Sequence, residues 1–113
     1  MSTTPLTATH LLIHRYIPGT GPQEGTAELA AEMKVWEELD REFRQSGELL
    51  GSYALQDASA AFGQRFGPHE EIVFAVHALA VGSQAEAEEI AARMPHLSYG
   101  STEVRPLMDT DLP

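Results

Sequence analysis

The sequence predicts an α+β fold: a ferredoxin-like split βαβ unit, with an antiparallel sheet and two helices on one face. Three observations predict it. The apolar pattern runs strand, helix, strand, weak strand, strand, helix, strand along the chain. A length of 113 residues supports one hydrophobic core and one domain. The first strand is partly apolar on both faces, as expected of a central strand with helices on one side and another covering on the other.

Each element has a local reason. In the strand Thr9 to Ile17, His10, Leu12, His14 and Tyr16 share one face, and Leu11, Ile13, Arg15 and Ile17 share the other. Pro18 to Gly25 is a loop rich in Gly and Pro. Thr26 is placed to cap a long helix that ends at Gly47, with Leu29, Met33, Trp36, Leu39 and Phe43 as its apolar stripe. Such a stripe is core, and Trp36 is expected there. Glu48 to Gln56 reads as the second strand and Ala61 to Phe66 as a short, weak one. Glu71 to Val81, rich in Val, Ile and Phe, is the clearest strand. Ser83 with Glu86 is a capping box for a helix that carries Ala87, Ile90, Ala91 and Met94 and stops at Pro95. The last strand, Thr102 to Met108, contains Pro106, which has no backbone donor and so belongs at a sheet edge. The domain core spans about residues 9 to 108, with loose tails at 1 to 8 and 109 to 113.

Composition excludes several functions. Seven basic against seventeen acidic residues give a net charge of −10, which repels phosphate backbones and anionic membranes, so neither nucleic acid nor membrane is an expected partner. The longest mostly apolar run, Ile72 to Val81, is too short to span a bilayer. No basic, then apolar, leader opens the chain, so a cytoplasmic location is the expectation. With no cysteine there is no disulfide, thiolate metal site or Cys nucleophile. Five histidines raise the question of metal, but His10 and His14 lie four apart on a strand, roughly 13 Å at about 3.3 Å per residue. No metal and no cofactor are expected.

The candidate site rests on strand residues. His14 and His77 fall on strands that neighbour each other in this topology, and a histidine titrating near neutral pH can move a proton. They are the candidate catalytic pair if they share a face; otherwise they are buried and satisfied by hydrogen bonds. Lys34, Arg41, Arg44 and Arg93 fall in predicted helices among acids, with Glu37 and Arg41 or Asp40 and Arg44 at i,i+4 spacing, whereas Arg15, Arg65 and Arg105 lie at predicted strands or their ends and with Tyr16 and Tyr53 are the candidate substrate-binding residues. Glu103 and Arg105 also suit an ion pair across strands or between subunits.

Several segments carry a family likeness. The end of the chain, with the second helix leading to Thr102-Glu-Val-Arg-Pro106, the second strand Gly47-Glu-Leu-Leu-Gly-Ser-Tyr-Ala-Leu-Gln56 and the opening His10-Leu-Leu-Ile-His-Arg-Tyr16 together resemble the YCII-related domain family, DGPF-type branch, over about residues 9 to 108. The Asp-Gly-Pro-Phe loop of that branch is reduced here to Phe66-Gly-Pro-His69. Glu32, Met33 and Lys34 stand where many family members carry the helix histidine of a proposed His-Asp dyad. The resemblance implies a homodimer packed sheet on sheet as a dimeric α+β barrel, which would cover the open sheet face. It also implies a cofactor-free lyase or isomerase acting on a small organic acid, lactone or phenolic metabolite. The alternatives are a non-catalytic ligand-binding or regulatory dimer, favoured by the missing dyad, and a cofactor-free oxygenase of the dimeric barrel type.

Overall fold

The computed structural model describes residues 7–56, 60–64 and 71–108. Its elements are β1 (His10–Tyr16), α1 (Ala27–Ser46), β2 (Leu49–Ala54), β3 (Ile72–Leu79), α2 (Gln84–Ala91) and β4 (Gly100–Pro106). The four strands form one sheet in the order β2-β3-β1-β4, with every neighbouring pair antiparallel. This is the split βαβ arrangement expected from the sequence, with β1 central. The weak strand expected near Ala61 to Phe66 does not form over residues 60–64, and its remainder lies outside the described residues. No helix among the described residues is long and apolar enough to cross a membrane.

The caps form as their chemistry dictates. Thr26 adopts extended backbone angles and its hydroxyl accepts from the Leu29 N–H, while Gly47 closes α1 in the left-handed region at φ 84°. Ser83 accepts from the Glu86 N–H, and the Glu86 carboxylate reaches back to the Gly82 N–H. β4 is an edge strand and Pro106 is its last residue, opposite His10.

The core lies between the sheet and the two helices. Leu12, Leu49 and Leu79 from the sheet meet Leu39 and Phe43 from α1, Ala87, Ile90 and Ala91 from α2, and Met94. Only the C-terminal half of the α1 stripe is buried. Trp36 is half-buried against the core, and Met33 is 49% exposed. The other sheet face carries Leu11, Ile13, Val73, Val76 and the exposed Tyr53, with a charged row in which Glu103 accepts from both Arg15 and Arg105.

One irregularity decides what faces the helices. β1 pairs His14 with Ala75 but Arg15 with Val73, so Phe74 is the extra residue of a bulge. The bulge turns Phe74 to the helix side, where its ring meets His14, Tyr16, Trp36 and His96 at centroid distances of 6.1, 5.5, 6.0 and 5.1 Å. A regular strand would send it to the opposite face, since side chains alternate.

Gly100 is where β4 comes closest to its neighbours. A Cβ there would collide with the Arg15 carbonyl oxygen and lie 2.9 Å from His96 Cδ2. At Gly47 a Cβ would meet open space, and the strain of a substitution is that of its backbone angle alone. We therefore expect Gly47→Ala to cost about 1 kcal/mol and Gly100→Ala to cost clearly more, measured by urea unfolding.

Candidate functional site

The first strand delivers His14 to the buried side of the sheet, fully shielded from solvent, and β3 delivers His77 beside it. The two share that face: His14 Nε2 lies 3.1 Å from His77 Nδ1. A third histidine joins them. His96, in the turn between α2 and β4, is also fully buried, with its ring edge-on to His14 at 5.2 Å and stacked on Trp36 at 5.3 Å.

Hydrogen bonds link the three through Thr102, which stands opposite His14 on β4. His96 Nε2 is 2.8 Å from the Ser101 carbonyl oxygen, which can only accept, so this nitrogen carries the proton. Thr102 Oγ1 lies 3.2 Å from the same nitrogen and 2.8 Å from His14 Nδ1. The hydroxyl accepts from the first and donates to the second. His14 Nε2 is then the protonated nitrogen and donates to His77 Nδ1. The result is a chain of neutral donors running one way, from His96 through Thr102 and His14 to His77. His96 Nδ1 is the one buried side-chain nitrogen or oxygen without a partner among the described residues.

Burial also fixes the charge state. Desolvation, reinforced by its two histidine neighbours, lowers the His14 pKa from 6.5 to about 3. Desolvation likewise lowers His77, against the pull of Asp40, and His96, against its hydrogen bond to Ser101 and the charge of Glu32. The trio is neutral at pH 7.

Beside these rings lies an open cavity of about 250 Å³ lined by Leu29, Glu32, Met33 and Trp36 of α1, Tyr16, Phe74, Tyr99, Thr20 and Pro22. The N-terminal half of α1 forms one wall, and the Phe74 bulge forms another. Its charged group is Glu32. The Tyr99 hydroxyl donates to both Glu32 oxygens at 2.7 and 2.6 Å, and the Trp36 indole N–H approaches one of them at 3.4 Å. Desolvation and the Glu32 carboxylate both raise the Tyr99 pKa, so its hydroxyl keeps its proton and serves as donor, not base. Gly21 passes over the Tyr99 ring so closely that a Cβ there would lie 2.7 Å from it.

The expected site residues separate into groups. His14 and His77 come together and pack against Trp36 and Phe74 of the cavity wall, but do not themselves line the cavity. Tyr16 lines the cavity. Tyr53 is 58% exposed on β2, opposite Val76, and Arg15 and Arg105 pair with Glu103 on the open sheet face. Arg65 lies outside the described residues. Trp36, expected as core, also walls the cavity. Glu32, Tyr99 and His96 complete the arrangement, and of these only Glu32 was marked by the sequence, as the residue near the family's missing histidine. Among the described residues no three His, Asp or Glu are placed to share a metal ion.

The neutral histidines make stability depend on pH. In the unfolded chain His14 binds a proton near pH 6.5, whereas in the fold it does so only near pH 3, so across that window the unfolded state holds more protons. Stability is therefore full above about pH 6.5 and falls as the pH drops toward 3, by up to about 1.4 kcal/mol per pH unit for each histidine so held. Urea unfolding between pH 7 and 4 measures this slope. His14→Leu should lower stability at pH 7, by unpairing Thr102 and His77, and make the slope shallower by about one proton.

Searches against models of protein families and against curated proteins find no match for this chain.

Proposed function

We propose that this chain is a cytoplasmic, YCII-like domain that binds a small molecule in the cavity between α1 and the sheet. The observation that carries this reading is the make-up of that cavity. It combines aromatic walls from Tyr16, Trp36, Phe74 and Tyr99 with a single carboxylate, Glu32, an apolar body with few polar groups to fix orientation. Its size suits a ligand of metabolite dimensions. An organic acid is disfavoured, because the described lining residues include a carboxylate and no cation, while Arg15 and Arg105 are engaged elsewhere.

The test uses the single tryptophan as reporter. In a screen of small metabolites by NMR, a true ligand should shift the Trp36 indole signal saturably, and Phe74→Ala should weaken its binding at least tenfold. A ligand that leaves Trp36 and Tyr99 untouched would place the function elsewhere.

A second reading, cofactor-free proton transfer, is favoured by the Glu32 carboxylate in the cavity wall, beside the Tyr99 hydroxyl. In it Glu32 is the base that meets the ligand, since His14 has no exposed surface and both of its nitrogens are engaged. The histidines then act as positioning residues, holding Trp36 and Phe74 in place. For a ligand that is turned over, Glu32→Gln should lower kcat at least a hundredfold with little change in KM.

We further infer that two copies associate through the open sheet face, where Leu11, Ile13, Val73 and Val76 form an apolar band beside the Arg15–Glu103–Arg105 row. Light scattering should give twice the chain mass. Ile13→Glu, which sets a charge in the middle of that band, should yield monomer without loss of helix or sheet signal.

A further inference from the structure

We propose that the cavity is a site for a small organic ammonium ion, held by the aromatic rings of Tyr16, Trp36 and Phe74 that line it and by the Glu32 carboxylate. The proposal rests on the binding reading above and adds the chemical class of the ligand.

Several of the acidic groups find a basic partner in an ion pair. Glu103 is paired with Arg15 and Arg105, Glu42 with Arg93 at 2.5 and 2.9 Å, and Asp40 with Arg44 at 2.7 Å. Glu32 differs from these. It is half-buried against aromatic rings, and among the described residues it receives only neutral donors, the Tyr99 hydroxyl and the Trp36 indole. Two carboxylate oxygens offer about four acceptor positions, so these donors leave capacity for a ligand. Among the described residues no cation meets Glu32.

The walls match the same chemistry. The Phe74 ring stands perpendicular to Tyr16, at 85° and 5.5 Å, and to Trp36, at 84° and 6.0 Å, so the three rings form a corner of aromatic surface. Ring faces carry negative quadrupole density and attract alkylated ammonium groups, whose weak hydration makes their transfer from water cheap compared with that of a metal ion or a primary amine. A corner of rings with one carboxylate is the arrangement that recognises such a group by its charge and its apolar shell together. Outside the cavity, a protein of net charge −10 concentrates cations near its surface and repels anions.

The competing occupants make different demands. A carboxylate or phosphate ligand would meet Glu32 with no cation in the described lining to offset it. An uncharged apolar ligand would use the rings but leave the carboxylate without a charged partner.

The experiment titrates wild-type protein with choline, with its uncharged carbon isostere 3,3-dimethylbutan-1-ol, and with benzoate, following the Trp36 indole signal by NMR. Choline should bind saturably, the isostere at least tenfold more weakly, and benzoate not measurably. Glu32→Gln should weaken choline at least tenfold while leaving the isostere unchanged. Equal or tighter binding of the isostere or of benzoate would overturn the ammonium assignment and leave the binding reading standing. No saturable response to any of the three would overturn the assignment, and the binding reading would then stand or fall on the metabolite screen alone.

Discussion

The polar groups buried between sheet and helices must find partners among themselves, and the rest of the structure follows from how they do so. An imidazole removed from water without hydrogen bonds costs several kcal/mol, of order 1–3 for each unsatisfied group. Here β1, β3 and β4 each contribute to one chain. Thr102 fixes the His14 ring from one side and His77 from the other, and His96 joins through Thr102 and the Ser101 carbonyl. The sheet register that places Thr102 opposite His14 is thus held by a specific bond in addition to the backbone ladder. A slip of one residue would put Glu103 there and bring a carboxylate into the core.

The same chain explains the cavity. Trp36 stacks on His96, and Phe74 packs edge-on to it, so the aromatic walls rest on neutral rings whose orientation is already fixed. Leu39 and Phe43 press the C-terminal half of α1 onto the sheet. Nearer its start, the helix instead presents Leu29, Glu32, Met33 and Trp36 to open space bounded by Tyr16 and Tyr99. The site is therefore a consequence of incomplete closure between one helix and the sheet, lined by whichever side chains the bulge and the Gly21 loop bring up.

Much of this fold was legible in the residues. Thr26 and Gly47 bound the first helix, Ser83 and Glu86 start the second, and Pro106 marks an edge, because each acts within a few positions of itself. The face shared by His10, Leu12 and His14 followed from alternation. What alternation cannot reveal is a bulge: Phe74 has the parity of the open face and reaches the buried one only because β3 carries an extra residue there. Tyr99 and His96 were missed for a similar reason. They sit in a turn with no periodicity, and their importance comes from Glu32, 67 residues away from Tyr99, and from β4. Arg15 and Arg105, read as strand cations apart from the helices, proved to serve the open face, where Glu103 binds both.

The central position of β1 has a consequence for how the chain folds. Its partners are β3 and β4, so His14 is joined to His77 across 63 residues of sequence and to Thr102 across 88. Nearly all of the sheet is thus made from contacts remote in sequence, which slows folding relative to a helical protein of equal size. During synthesis the first strand emerges well before either neighbour, and α1 can form while its apolar side has only part of a sheet to cover. Until Gly100–Pro106 leaves the ribosome, His14 lacks Thr102 and one full edge of β1 is bare. The nascent chain must keep an aliphatic strand unpaired through most of its synthesis.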